Sequence, residues 1–298
     1  MSPVGIARPE PGGCRGLPGG GRREQTAVWA YAIADSGAGD FMAGDLAAGV
    51  GQLAGVGGAP VRVTSCSGLS MLVSDVSAAQ FGEAALRRNL ENMDWLDEVA
   101  RAHHHVIEAA RQLFPLLPTR LATVYSSDVA VCAALDERRP ALRGALRRVG
   151  GRVEWGVKAY AVPESETPAH RPDEGGSDQA DSHTGSGAGL AYLRRRREQL
   201  TAGRESRTAA VDAARAVFGA LAGQSERARL HPPQSPQLSG VRLPMLLNAA
   251  YLLAADGAAD FKAAVAAQAT AHPELRIDMT GPWPPYSFAA DDYDNDRH

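Results

Sequence analysis

The chain has 298 residues, of which 44% are hydrophobic and 22% charged; this is enough apolar mass for a packed interior and excludes wholesale disorder. Its 31 basic and 34 acidic residues leave a net charge of −3, too small a balance for an extended nucleic-acid or anionic-membrane surface. Among the basic residues only Lys158 and Lys262 are lysines, so positive charge is carried by guanidinium groups, which suit fixed pairs and stacking.

Residues 1–25 hold eleven Gly or Pro, which predicts a disordered leader. The first domain is expected over 26–150. It opens with the β-branched and aromatic strand Val28–Ile33, followed by a weakly patterned helix over Asp45–Leu53. The runs Val61–Cys66 and Leu69–Val73 flank Ser67-Gly68 as the arms of a hairpin. Glu91–Phe114 repeats apolar residues every three to four positions, which predicts a long amphipathic helix stopped by Pro115 and Pro118. Arg120–Tyr125 reads as a fourth strand, and Ser126-Ser127-Asp128 as the cap of one helix reaching Val149.

The second domain is expected over 151–289. Its strand Arg152–Val162 alternates, with Val153, Trp155, Val157 and Ala159 on one face. The acidic, Gly- and Ser-rich stretch 163–189 predicts a flexible insertion, and 290–298 a disordered tail. A helical pattern runs from Leu190 to Leu230, with heptad positions mostly apolar but interrupted by Arg197, Arg204 and Arg207. It predicts a partial coiled coil, docked only at its ends or paired with an acidic surface. A strand near Leu246–Leu253, a helix Ala258–Ala271 and a strand Leu275–Thr280 complete the chain. Both halves can be written in the ferredoxin-like split βαβ layout, so the expected class is α+β: two such sheets, each with helices on one face.

Chemical signatures are sparse. Three cysteines, Cys14, Cys66 and Cys132, are far apart and without CxxC spacing, which predicts inert packing in a reducing cytoplasm and neither a disulfide framework nor a zinc site. No export signal is read, and the longest apolar stretch, Met245–Ala255, is far short of the ~20 residues that span a bilayer. No phosphate loop, GxSxG or HEXXH occurs. His104 and Glu108 stand one turn apart, but a bound ion needs ligands that the sequence does not identify, so His103-His104-His105 reads as a solvated or interdomain face. Glu154 could be one carboxylate of a catalytic pair, but a second one such as Asp278 cannot be placed by spacing, so Glu154 reads as half of a structural salt bridge to a basic group. The run Arg194–Arg197 reads as a solvated or acid-paired helix face. No catalytic residue, metal or cofactor is therefore assigned.

Three segments read together are more specific: Leu116–Val124 (LLPTRLATV), Gly151–Lys158 (GRVEWGVK), and Leu247–Leu253 (LNAAYLL) with Thr280–Phe288 (TGPWPPYSF). In this order and at these intervals the chain resembles the GvpL/GvpF family of gas vesicle proteins over about residues 27–289. The opening strand ending in Tyr31, the hairpin with Val73-Ser74-Asp75 and the helix around His103 are similar to that family's first domain. The family carries a Phe-Gly pair where this chain has Leu121-Ala122.

The resemblance implies a non-enzymatic, cytoplasmic accessory or minor structural protein, associated with gas vesicles and in contact with their small, hydrophobic main shell protein and other gas vesicle accessory proteins. It implies no cofactor, nucleic acid or membrane partner. The family-motif residues are Arg120, Thr123, Glu154, Trp155, Asn248, Tyr251, Trp283 and Tyr286. Arg197, Arg204 and Arg207 are candidate partner-binding residues; pairing with acidic groups of the same chain is the equal alternative for them. For the segment around Trp283, completion of the second domain's core is expected over a surface anchor. The competing functional readings are a nucleic-acid or small-ligand binding module on ferredoxin-like domains, and an enzyme whose site is assembled by tertiary contacts.

Overall fold

The computed structural model describes residues 25–37, 43–163 and 187–289. The expected leader, acidic insertion and tail, and Cys14, fall almost wholly outside these described residues. The architecture is α+β, built on two antiparallel sheets.

In the first sheet, β1 (Thr26–Asp35) is central. It pairs on one side with β3 (Leu69–Ser77), which carries the edge strand β2 (Arg62–Cys66). The β2–β3 hairpin closes through Ser67 and Gly68, both in the left-handed region with φ of 54° and 80°, the paired positive values a two-residue hairpin turn demands. The other side of β1 takes two short pieces, β4 (Leu117–Pro118) and β5 (Val124–Tyr125). The expected strand Arg120–Tyr125 is thus corrected. The carbonyl of Arg120 accepts from the Thr123 amide at 3.2 Å and from its hydroxyl at 2.7 Å, and this turn interrupts pairing. Ala122 holds φ at 63° inside it, a left-handed geometry that glycine adopts more readily.

Helices on a single face are also corrected for this sheet. Nearly all of β1 is buried, because one face (Trp29, Tyr31) meets α1 (Ala43–Val50), α2 (Ala78–Phe81), α3 (Glu83–Asn89) and α4 (Met93–Arg111). Its other face (Val28, Ala30, Ile33) meets α5 (Asp128–Glu137) and α6 (Arg139–Val149), so β1 reads as a continuous apolar run. Asn92 caps α4, its side-chain oxygen accepting from the amides of Asp94 and Trp95. The single helix expected over 127–149 breaks at Arg138, where Pro140 begins a new first turn.

The second sheet has the order β7-β8-β6-β9, formed by β6 (Arg152–Ala161), β7 (Arg227–Leu230), β8 (Met245–Ala254) and β9 (Leu275–Trp283). One face of β6 and β8 packs against α7 (Gly187–Ala222) and α9 (Ala258–Ala271), through Val153, Trp155, Val157, Leu247 and Tyr251. A four-residue helix, α8 (Pro236–Ser239), lies between β7 and β8. The long helix ends at Ala222, earlier than expected, because Gly223, Gln224 and Ser225 close its last turn and free Arg227–Leu230 to pair with β8. Among its described side chains the buried positions are Ala210, Ala213, Ala214, Val217 and Leu221, an α-helical stripe along the C-terminal third. The side chains of Arg197, Arg204 and Arg207 are exposed.

The opposite face of β8 turns Ala250 and Leu252 toward α5 and α6, so these two helices are shared by both sheets. The chain re-enters that shared layer at its end. β9 runs on to Trp283, and α10 (Tyr286–Ala289) inserts Phe288 and Ala289 beside the α5–α6 residues.

Two cysteines read as isolated packing are brought together. Cys66, at the end of β2, and Cys132, on α5, have Cα atoms 5.5 Å apart and sulfurs in bonding contact. Spacing along the chain carried no trace of this, since 66 residues separate them.

Candidate functional site

β6 alternates, so Trp155 enters the core under α7 and α9 while Glu154 faces the shared layer. Glu154 is only 8% exposed, and a buried carboxylate needs partners. Its two oxygens accept from the Ser287 amide at 2.7 Å and the Ser287 hydroxyl at 2.6 Å. Asp278, the candidate second carboxylate, is not beside it: Asp278 stands opposite Lys158 and pairs with Arg276 on its own strand, while a serine of the C-terminal segment occupies the Glu154 carboxylate.

Ser287 is gripped from a second strand as well. Arg229 on β7 donates to the Ser287 carbonyl, and His231 Nε2 lies 3.0 Å from the Ser287 hydroxyl. Because that hydroxyl donates to Glu154, the imidazole N–H is the donor to it. An activated nucleophile would need the reverse, with the imidazole taking the serine proton, so this arrangement works as a clamp. Burial pushes the Glu154 carboxyl upward against the Ser287 hydrogen bonds and the charge of Arg229. His231 is lowered by burial and then by Arg229. Asn248 on β8 holds the loop that carries His231: its amide donates to the Pro232 carbonyl at 2.9 Å, and its carbonyl accepts from the His231 amide at 2.8 Å.

The rest of the segment lies against α4. The Trp283 ring meets His104 edge-on, with centroids 5.4 Å apart, and the Tyr286 hydroxyl stands 3.4 Å from His104 Nδ1. Burial raises the Tyr286 phenol, and the carboxylates of Glu108 and Glu154 act in the same direction. Between α4 and the segment opens a cavity of about 300 Å³, lined by Ile107, Phe114, Pro115, Pro284 and Pro285 among others.

The structure therefore gathers Glu154, Trp283 and Tyr286 at one junction, with Asn248 supporting it. It separates the other motif residues. Trp155 and Tyr251 are cross-strand partners on the far face of the second sheet; the Lys262 ammonium lies 5.0 Å over the Trp155 ring, and Tyr251 packs between Phe218 and Phe261. Arg120 and Thr123 form the turn beside β1, where the Thr123 carbonyl accepts from the Ala30 amide at 2.9 Å. Arg197, Arg204 and Arg207 lie along α7, and none of the three makes an ion pair within the described residues. The sequence reading singles out neither Arg229 nor His231, and it holds Ser287 only within the Thr280–Phe288 segment. His104 belongs to the histidine cluster read as a solvated or interdomain face, and its contacts with Trp283 and Tyr286 place it at such a face. No group of three or more His, Cys, Asp or Glu arranged to hold a metal occurs among the described residues.

Core completion by Trp283 is corrected. Trp283 is 41% exposed: it is the last residue of β9, paired opposite Glu154, and its ring lies against His104 of α4. Phe288 and Ala289 are the buried members, and the core they enter is the layer between the sheets. Replacing Trp283 by alanine is accordingly expected to cost no more than about 1 kcal/mol in urea denaturation, far below a buried large-to-small change.

A profile of the family described as "Gas vesicle synthesis protein GvpL/GvpF" matches residues 27–290. Gas vesicle protein L of Streptomyces sp. (strain CB03234) is 38% identical over 236 residues, covering 79% of this chain and 85% of the relative. Gas vesicle protein F of the same organism is 32% identical over 235 residues, covering 77% and 87%. The fold is similar to the crystal structure of GvpF from Anabaena sp. PCC7120, at a TM-score of 0.57 and 20% identity, over 89% of this chain and 96% of that one. The GvpF structure from Microcystis aeruginosa gives 0.55 and 20%, over 88% and 98%. These are gas vesicle proteins and not an enzyme family. By the match over residues 27–290, the chain belongs to the GvpL/GvpF family of gas vesicle proteins.

Proposed function

We propose that this protein is a non-enzymatic accessory or minor structural component of gas vesicle assembly, acting in the cytoplasm by binding the hydrophobic main shell protein. Family membership supports the gas vesicle role. The observation that carries the binding reading is α7: it docks by its C-terminal third and leaves Arg194, Arg196, Arg197, Arg204 and Arg207 exposed. Guanidinium groups presented in a row pair bidentately with partner carboxylates, which would set the register of a subunit that apolar burial alone leaves free to slide. No described helix is long and apolar enough to cross a membrane.

We further read the two sheets as ferredoxin-like units, over 26–150 and 151–289. Their strand orders, β2-β3-β1-β4 and β7-β8-β6-β9, with a helix before the second strand and another before the fourth, support this reading. Helix α7 would then serve both as the first crossover of the second unit and as the partner-facing arm.

Co-expression with the main shell protein tests the proposal. Wild type is expected to co-purify with it, and the Arg197→Ala, Arg204→Ala, Arg207→Ala triple variant to lose the complex with an unchanged melting temperature. Equal binding by both proteins would remove the arginines from the interface. No complex with wild type would remove the shell protein as partner.

A further inference from the structure

We propose that Cys66 and Cys132 are a reversible thiol–disulfide site, which in its oxidised form staples α5 to the edge strand of the first sheet. The geometry rests on register as well as on the cysteines themselves. On β2, residues 62, 64 and 66 share one face, with two-residue steps of about 7 Å. On α5, residues 128, 132 and 136 share one face, with single-turn steps of about 6 Å. The two ladders match. At the first rung, Asp128 accepts from Arg62 and from the Thr64 hydroxyl, each at 3.0 Å. Beyond the cysteine rung, Asp136 is hydrogen-bonded by Ser67 of the hairpin turn. Polar contacts on both sides thus hold Cys132 over Cys66, at the 5.5 Å Cα separation that a disulfide spans.

The site is open to chemistry. Both cysteines are half-buried, and β2 is the edge of its sheet, so a small reagent can approach. The reaction is thiol–disulfide exchange with a low-molecular-weight disulfide of the glutathione class. One cysteine thiolate attacks the reagent, forming a mixed disulfide and expelling one reagent thiolate. The second cysteine thiolate then attacks the protein sulfur, closing the Cys66–Cys132 bond and expelling the other. The protein loses two electrons and two protons, and the reagent is reduced to two thiols.

The consequence reaches the layer between the sheets. Val131 and Leu135, on the buried face of α5, pack in the same core as Ala250, Leu252 and Phe288. The bridge would therefore tie the hairpin edge to the helix layer on which the second sheet rests. This inference is independent of the shell-protein reading.

The test uses the full chain, equilibrated in oxidised or in reduced glutathione, alkylated and mapped by mass spectrometry, with melting curves from the same samples. In oxidised glutathione we expect a Cys66–Cys132 peptide and an intact mass lower by two hydrogens. The melting temperature should rise by about 5 to 15 °C over the reduced sample, as closure of a long loop predicts. Cys66→Ser and Cys132→Ser should melt alike in both buffers. Free thiols at both positions after oxidation, stable glutathione adducts there, or pairing with Cys14 would overturn the site. A bridge that forms without raising the melting temperature would overturn the stapling role.

Discussion

Phe288→Ala is expected to destabilise the protein by about 3 to 5 kcal/mol, the range for deleting a buried aromatic ring from a packed core. Phe288 is 3% exposed and lies in the layer formed by Val28, Ala30 and Ile33 of β1, Leu142 and Leu146 of α6, and Ala250 and Leu252 of β8. A ring in that position belongs to both sheets at once, so its loss should weaken their association as well as their packing. The clamp on the neighbouring residue sharpens the expectation. Ser287 can reach Glu154, Arg229 and His231 only while α10 is seated, and an undocked segment would leave the Glu154 carboxylate buried without a donor. Urea denaturation followed by tryptophan fluorescence measures the loss. Limited proteolysis should show cleavage appearing near residues 284–289 in the variant. A cost under about 1 kcal/mol would mean that the segment is not anchored by this ring.

Acidification from neutral pH should remove about 3 kcal/mol of stability through His103 alone. His103 is buried on α4: its Nδ1 accepts from the Trp29 indole at 3.1 Å, and its Nε2 lies 3.4 Å from the Thr119 carbonyl. That pattern requires the neutral ring with its proton on Nε2. Burial, reinforced by the nearby His104, lowers its pKa from 6.5 to about 4. The folded protein therefore disfavours the imidazolium that the unfolded chain accepts at 6.5. The contribution is fully present above pH 6.5 and is lost as pH falls toward 4. Glu154 acts with the opposite sign, since burial raises its pKa and protonation relieves the fold, so the measurement must be a comparison. His103→Gln keeps an acceptor and a donor but cannot ionise. Between pH 7 and 4.5 the variant should lose markedly less stability than wild type in urea titrations. Parallel losses would assign the acid sensitivity to other groups.

Exposure decides where these effects differ from those at the protein's arginine face. Arg197, Arg204 and Arg207 have exposed side chains, and exposed guanidinium groups contribute little to folding. Their substitution should therefore be silent in stability, whereas Phe288 and His103 report on the fold itself.

What was legible in the sequence was whatever short-range patterning controls. Helix α9, from Ala258 to Ala271, follows the expected boundaries, and the Ser67-Gly68 turn sits between the two hairpin arms as predicted. Both depend on neighbours a few residues away. The family was legible too, because three motif segments carry it through their order and spacing. Tertiary structure alone decided the rest. β1 is covered on both faces because α5 and α6 fold back over it, and nothing in its apolar run says from which side each helix comes. Trp283 lies exposed at the end of β9 while Phe288 is buried on α10, a difference set by which of the two reaches the layer of α5 and α6. Glu154 finds Ser287 across 133 positions, and Cys66 meets Cys132 across 66. Hydrogen bonds and sulfur contacts act over a few ångströms in space, and sequence separation carries no information about that distance until the sheets and helices have packed.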